Sequence, residues 1–303
     1  MPYQRQLYFE LMNRYKKGDV VFTLINTTVM ILFSLIMLYP MWYVAVASLS
    51  DAKALMASSG MIFLPIKMNL AAYKAAFSNP LLLSGYGITL FVVVFGTFIG
   101  VLFTFVAAYF FSRRDVKLQK PLMILLFITM YFSGGIIPFY FTVKDVGLNN
   151  SVWALIIPTI MTTYNMIIVR TSMYGIPASL EEAAEIDGAN HITILFKVIL
   201  PLSKASLAVI TLYYAVEKWN AWFNAMIFIK DREKWPLQLV LREILVENST
   251  NTMMQGGLSS DDAFVSETIK YATIVISTLP ILCVYPFIQK YFVGGIMIGA
   301  VKG

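Results

Sequence analysis

The sequence predicts an all-α polytopic membrane protein with six transmembrane helices, and three observations lead to that fold class. Of its 303 residues, 58% are hydrophobic and 13% are charged, whereas soluble domains carry about 25% charged residues. Several apolar runs reach the roughly 20 residues that a helix needs to cross a bilayer. Strand-like alternation is absent, so the spans are expected to be helices, which satisfy their own backbone groups in lipid. The predicted spans are Val20–Leu49, Ile88–Phe111, Leu122–Phe141, Val152–Val169, Ala205–Ile229 and Tyr271–Ile288.

The first span is expected to remain in the protein rather than to be cleaved as a signal peptide. Its run of about 30 residues exceeds the roughly 7–15 residues of a signal core, and no small-residue cleavage site follows it. The single cysteine, Cys283, lies in the last span, which excludes an internal disulfide. Because His191 is the only histidine, metal-ligand clusters are missing, and we interpret it as an ordinary polar helix residue. No catalytic residue and no metal site are predicted.

The distribution of basic residues predicts the orientation in the membrane. The loop at 112–121 contains four basic residues, and the loop at 142–151 contains one. By the positive-inside rule, the first of these loops, both termini and the segment between spans four and five face the cytoplasm. Residues 1–19 form a cytoplasmic tail and residues 20–303 the transmembrane domain. The net charge of +6 is attributed to this topology, since no basic face with stacking aromatics indicates nucleic-acid binding.

The segment EEAAEIDGANHITILFKVILP, at 181–201, stands out because it is rich in carboxylates between apolar runs. Ser179 and Glu182 match a capping box, which predicts a short helix at about Leu180–Asp187. Gly188 suits the position just after a helix, where a left-handed backbone is common. The segment therefore begins as a short acidic helix closed by a glycine.

A second helix is predicted after Asn190, which can serve as its N-cap. Apolar residues at helical spacing place one stripe on this helix, and Pro201 then bends the chain into span five. The stripe consists of Ile192, Leu195, Phe196 and Ile199. The alternative is a helix lying on the membrane surface, but such helices are usually rich in Lys and Arg. The acidic start favours a cytoplasmic finger that docks on another protein.

Span five contains a polar stripe that is a candidate for a substrate path. Charged residues inside a span are costly and face the bundle interior or water, and this span holds Glu217 and Lys218. At about 100° per residue, the stripe residues fall within about 60° of one another. The stripe consists of Tyr213, Glu217, Asn220 and Asn224, with Trp219, Trp222 and Phe223 beside it. Amides, carboxylates and aromatic faces suit hydroxyl-rich sugars.

Two other interpretations of the stripe remain open. Its polar residues can join helices to one another, and the aromatic residues can anchor the span at the interface. Span four adds Asn165 as a further candidate for the path. Lys218 and Arg170 are compatible with an acidic saccharide, although the sequence leaves the charge of the substrate open.

The finger carries a motif with several fixed spacings. It has E-A-A at Glu182–Ala184, a glycine at Gly188 and a closing I-L-P at Ile199–Pro201, with Val198 at the usual Ile position. This pattern resembles the inner-loop signature of ABC-importer permeases. The stretches at 132–160, 217–245 and 279–303 resemble carbohydrate permeases of the maltose type, in the branch associated with pectin- or alginate-derived oligosaccharides. The likeness covers roughly residues 20–303.

The resemblance implies a permease subunit that hydrolyses nothing itself and lies in the bacterial inner membrane. Its expected partners are a second homologous permease, two ATPase subunits and an extracytoplasmic solute-binding protein, with an oligosaccharide as substrate. ATP and magnesium are expected on the ATPases, and this chain lacks the phosphate loop G-x-x-x-x-G-K-S/T. No cofactor is expected in the chain itself.

The resemblance also implies which residues contact the ATPase. The coupling loop is placed at 174–201 and a C-terminal tail at 290–303, with Lys302 reaching the ATPase. Glu182 is expected to pair with a basic group there. The implied coupling residues are Glu181, Glu182, Ala183, Ala184, Asp187, Gly188 and Asn190.

Three rival functions are weighed against this interpretation. A stand-alone secondary transporter or channel would work as a single chain and leaves the docking finger without a role. A non-transporting scaffold or sensor does not need the polar stripe. An ABC permease for amino acids or metals shares the finger, but the Trp-rich fifth span and the closing tail favour sugar.

Overall fold

The computed structural model describes residues 17–113, 115–254, 268–284 and 286. Within these residues the secondary structure is helical, and no strand is present. This confirms the all-α class. The chain forms two compact units, one of Met1–Tyr73 with Ser259–Val275 and the other of Lys74–Leu258 with Ile276–Gly303.

The first unit is built around helices α1 (Lys17–Ser48) and α2 (Ala52–Ala57). The most apolar stretch of α1 has none of its residues buried, as suits a helix that faces lipid. Asp51 caps α2, because the Ala54 N–H donates to its Oδ1 at 3.1 Å, and this bond lowers the pKa of the carboxyl. The small core of the unit consists of Val46, Ala47, Leu55 and Ile62.

Eleven further helices follow in the described part of the chain, joined in two places by short 3₁₀ turns. They are α3 (Ala71–Ser78), α4 (Pro80–Ser112), α5 (Gln119–Tyr131), α6 (Ile136–Asp145), α7 (Thr163–Met173), α8 (Ala178–Ile186), α9 (His191–Leu202), α10 (Lys204–Trp219), α11 (Phe223–Phe228), α12 (Leu237–Met254) and α13 (Thr268–Val284). The 3₁₀ turns are Val152–Leu155 and Arg232–Lys234.

Helix α4 is the centre of the second unit and packs against α7, α10 and α12. Its N-terminus is well defined, because the Asn79 side chain accepts from the Leu81 N–H and Pro80 occupies the first turn, where a missing N–H does no harm. Its 33 residues extend over about 50 Å, which exceeds the roughly 30 Å of the bilayer core.

The hydroxyl of Tyr214 joins three parts of this unit. The side chain is fully buried, and the hydroxyl lies 2.7 Å from Thr104 Oγ1 on α4. It also accepts from the Thr162 N–H at 3.0 Å. Next to it, a Cβ at Gly100 would lie 3.0 Å from the Ile160 carbonyl oxygen and 3.5 Å from the Tyr214 ring. The glycine therefore allows α4 to approach its neighbours closely.

Two described helices are long and apolar enough to cross a membrane, namely α1, over Asp19–Ser48, and α4. Both coincide with predicted spans. Two bent pairs raise the number to four if each counts as one span, α5 with α6 at 117° and α9 with α10 at 84°.

The third predicted span is not a straight helix. It is divided between α5 and α6, and Gly135 separates them with a φ of +87°, which is outside the helical region. The Ser133 hydroxyl accepts from the Gly135 N–H at 3.2 Å and stabilises the turn. A Ser-Gly-Gly sequence inside an apolar run thus produces a sharp bend.

The fourth and fifth predicted spans are also interrupted. In span four, the 3₁₀ turn is followed by irregular chain up to Thr162, whose Oγ1 caps α7 by accepting from the Asn165 N–H. In span five, α10 ends at Trp219 and α11 begins at Phe223. The Asn220 side chain donates to the Val216 carbonyl at 2.8 Å and so caps the end of α10.

Candidate functional site

The docking finger is formed by α8, a glycine turn and α9. Helix α8 begins at Ala178, so Ser179 lies inside the helix, and Pro177 occupies the N-cap without a side-chain hydrogen bond. The predicted capping box is therefore wrong. Gly188 has a φ of +81°, and its N–H donates to the Glu185 carbonyl at 3.0 Å. The predicted left-handed glycine after the helix is confirmed.

Helix α9 begins as predicted, because Asn190 Oδ1 accepts from the Thr193 N–H at 2.8 Å. Its middle, Ile194–Ile199, is π-helical, and this wider turn changes which residues face the core. Ile194, Leu195 and Ile199 are buried, whereas Ile192 and Phe196 are exposed. The predicted stripe is wrong at those two positions, since an α-helical spacing does not hold through a π turn.

Helix α8 has an inner and an outer face. The inner face contains Glu181, Ala184 and Glu185: Ala184 packs against the main hydrophobic cluster, and the two carboxylates lie 3.8 and 3.4 Å from guanidinium nitrogens of Arg113. Burial raises the pKa of Glu181, and the nearby Arg113 lowers it by a smaller amount. These inner residues already have partners within the chain.

The outer face contains the residues that a partner can reach. Glu182, Ala183 and Asp187 are exposed, and within the described residues neither carboxylate of this face forms an ion pair. Ile186 lies beside them and is 86% exposed. The implied coupling set is thus divided, with Glu181 and Ala184 facing the protein and the others facing outward.

Apolar residues on the outside of the finger were missed by the sequence analysis. Leu180, Ile186 and Ile192 are exposed on a segment that is otherwise acidic. An exposed apolar group beside carboxylates is typical of a surface that binds another protein. For Leu180 and Ile186 the signal was available, because neither residue belongs to the predicted apolar stripe, whereas Ile192 was assigned to that stripe.

The polar stripe of span five is retained only in part. Tyr213, Glu217 and Asn220 are exposed on α10 and at its end, but Asn224 lies on the separate helix α11. The stripe was predicted on one continuous helix, and that prediction is wrong beyond Asn220. Trp219 is 7% exposed and its Nε1 donates to the Ser277 carbonyl at 3.3 Å.

Two polar residues predicted in spans four and five are buried inside the second unit. Lys218 and Asn165 are each 3% exposed. The Nζ of Lys218 lies 3.4 Å from Thr159 Oγ1, and its aliphatic chain rests against Gly96. Arg170 is bound at the cytoplasmic end predicted for span four, where its Nε donates to the Phe111 carbonyl at 2.7 Å.

Several predictions lie outside the described residues. They are the ATPase contact of Lys302, the tail at 290–303, most of the N-terminal tail at 1–19, and the second half of the outer loop beyond 254.

Comparisons with known proteins give one consistent result. Residues 100–298 match the family described as binding-protein-dependent transport system inner membrane component. The chain is 42% identical to the polygalacturonan/rhamnogalacturonan transport system permease protein YtcP of Bacillus subtilis over 90% of this chain and 96% of that protein. It is 41% identical to protein LplC of the same organism, over 88% and 90% of the two chains.

A solved structure is similar over nearly the whole chain. It is a crystal structure of a bacterial ABC transporter involved in the import of the acidic polysaccharide alginate. The match has a TM-score of 0.83 at 33% sequence identity and covers 92% of this chain and 99% of the other.

Proposed function

The chain belongs to the family of binding-protein-dependent transport system inner membrane components and is a permease subunit of an ABC sugar importer; on this premise we propose that α8 couples it to an ATPase and that its cargo is an acidic oligosaccharide. The observation that carries the coupling role is the outer face of α8. Its carboxylates, which form no ion pair within the described part of the chain, and the exposed Ile186 are suited to a groove with basic and apolar residues.

We place the chain in the inner membrane with six spans and both termini in the cytoplasm. The bent pair of α5 and α6 then acts as a broken span, which is tolerated where the irregular backbone is covered by protein, whereas the bend between α9 and α10 separates the finger from span five. In this orientation the finger and the loop around Arg113 share the cytoplasmic side. That arrangement agrees with their contact at 3.4 Å.

The proposed assembly contains a second homologous permease, two ATPase subunits and an extracytoplasmic binding protein. ATP and magnesium are held by the ATPases. Transport follows alternating access, in which ATP-driven closure of the ATPases moves the docked finger. The finger must bind the open and closed ATPase states with different free energies, since otherwise ATP could not shift the permease equilibrium.

Co-purification from native membranes tests the coupling role. We expect the tagged chain to recover an ATPase subunit and a second permease. The double variant Glu182→Arg with Ile186→Asp is expected to lose at least about 90% of the ATPase, because central contacts of an interface each contribute 2 kcal/mol or more. The second permease should be retained, since only the outer face of α8 has changed.

Asp231→Asn is the matched control for a changed carboxylate. Asp231 lies on the predicted outer side and binds Lys234 and Asn150, so its replacement should leave ATPase recovery unchanged. Undiminished ATPase recovery with the double variant would contradict the docking role. A wild-type chain that purifies alone and still transports would favour a stand-alone transporter.

For the sugar path we propose the exposed side of α10. Glu217 and Asn220 supply a carboxylate and an amide for hydroxyl groups, and Tyr213 supplies an aromatic face. The buried Lys218 adds positive charge next to this surface, which is compatible with an acidic sugar. Relatives that handle polygalacturonan, rhamnogalacturonan and alginate support the same substrate class.

Uptake of labelled oligogalacturonide by the reconstituted importer tests the path. Glu217→Gln and Asn220→Ala are each expected to lower uptake about tenfold, because a hydrogen bond to a charged or strongly polar partner contributes about 1.5 kcal/mol. Thr211→Ala is the control, since Thr211 is also exposed on α10 and, like Asn220, bonds to a carbonyl of its own helix, but it lies outside the polar stripe. Normal uptake by both path variants, or stronger competition by a neutral oligosaccharide of the same length, would contradict this proposal.

A further inference from the structure

Arg113 occupies the point where the longest helix of the second unit ends. It is the C-cap of α4, and its backbone N–H donates to the Tyr109 carbonyl. Its backbone is extended there, so the side chain leaves the helix and turns towards the finger. Only 15% of the side chain is exposed. A charged residue on a predicted cytoplasmic loop is thus largely enclosed by the protein.

The guanidinium group binds both the end of α4 and its loop. Its Nε and Nη2 donate to the two carboxylate oxygens of Asp115 at 2.8 and 2.9 Å. Its Nη1 donates to the Tyr109 hydroxyl at 3.0 Å. These bonds raise the pKa of Arg113 and lower that of Asp115, so both groups remain charged. The guanidinium group of Arg113 is thereby fixed relative to α4.

The same group reaches both helices of the finger. Its Nη2 lies 3.4 Å from Glu185 Oε1, and its Nη1 lies 3.8 Å from Glu181 Oε2. Nη1 also lies 2.9 Å from His191 Nδ1 at the start of α9. Because a guanidinium can only donate, His191 Nδ1 is the acceptor in this contact. One side chain therefore contacts α8, α9 and the end of α4.

Few other contacts hold α8 in place. None of its residues is fully buried, and its most extensive contact with another helix of the described chain is with the π-helical part of α9. An isolated exposed ion pair contributes little to stability. A planar guanidinium group that is fixed in position and binds several acceptors is better able to hold a helix in one orientation.

We propose that Arg113 is a positioning residue that makes α4 move together with the docking helix. The inference rests on the proposed coupling role of α8 and deepens it by naming the connection inside the permease. Movement of the inner face of α8 is transmitted through Glu181 and Glu185 to Arg113. Helix α4 packs against α10, which carries the proposed sugar path.

The test uses the complete importer in proteoliposomes and measures sugar molecules transported per ATP hydrolysed. Arg113→Gln is expected to lower this ratio about tenfold, within the range of typical coupling between sites. ATPase recovery should not change, because the outer face of α8 is intact. Arg113→Lys keeps the charge but loses the planar guanidinium group, and we expect an intermediate ratio of sugar transported to ATP hydrolysed. In Arg113→Gln, amide hydrogen exchange should also become faster at 178–186.

A charge exchange separates this role from a general structural one. Arg113→Glu combined with Glu185→Arg is expected to restore part of the ratio that Arg113→Glu alone loses. Arg232→Gln is the control, since Arg232 also pairs with a carboxylate, Glu243, and covers an aromatic ring, Trp235.

The other outcomes overturn the proposal in distinguishable ways. Loss of the ATPase from Arg113→Gln would mean that Arg113 maintains docking itself. An unchanged ratio, or no rescue by the charge exchange, would mean that the bonds seen here do not transmit movement. Failure of the wild-type chain to bind any ATPase would instead refute the coupling role of α8.

Discussion

Gly188→Val is expected to uncouple sugar transport from ATP hydrolysis while leaving the fold intact. Gly188 has a φ of +81°, and no atom of the described residues lies within 4 Å of the position of a Cβ. The substitution therefore acts through backbone strain alone, which costs about 1–2 kcal/mol for a residue with a Cβ. Relief of that strain would change the angle between α8 and α9. If this strain destabilises the docked state, sugar transported per ATP falls roughly 5- to 30-fold.

Gly147 offers a matched control for this prediction. It has a φ of +78° and, like Gly188, open space around a Cβ, but it lies on the loop predicted to face outward. Gly147→Val should lower thermal stability by a similar amount and leave the transport ratio unchanged. Gly188→Asn should retain most coupling, since Asn tolerates the left-handed conformation. Normal coupling in Gly188→Val, or equal loss in Gly147→Val, would contradict the role of the turn.

The sequence predicted those parts of the finger that depend on neighbouring residues. Gly188 and the Asn190 cap were correct because both conformations are determined within a few residues. The capping box was wrong although its motif was present, because the helix begins two residues earlier than predicted, at Ala178. Several local signals of similar strength compete to determine where a helix begins, and the sequence does not show which of them prevails.

Contacts between distant residues could not be predicted in this way. Arg113 counted only as one of several charges that set the topology, because its partners Glu185 and His191 lie 72 and 78 positions further along the chain. The breaks in spans four and five were not predicted for another reason. Hydropathy reports how apolar a segment is, whereas the break between Trp219 and Phe223 is a matter of backbone conformation.

The largest effect on stability is expected for Gly100→Leu. A Cβ there would lie 3.0 Å from the Ile160 carbonyl oxygen, and a backbone atom cannot turn away as a side chain can. The Tyr214 ring on the other side, at 3.5 Å, is fully buried and held by Thr104. Overpacking of this kind costs at least about 1–3 kcal/mol, out of a total stability of about 5–15 kcal/mol. We expect a sharply lower yield and melting temperature in detergent.

Gly87→Leu on the same helix distinguishes overpacking from the general effect of adding a side chain. Gly87 is exposed, and a Cβ there meets no atom within 4 Å. Because leucine favours helix by about 0.8 kcal/mol over glycine, Gly87→Leu should be neutral or slightly stabilising. Gly100→Ala should lie between the two, since it adds the Cβ alone. Equal melting temperatures for Gly100→Leu and Gly87→Leu would show that α4 does not depend on its close approach to Ile160 and Tyr214.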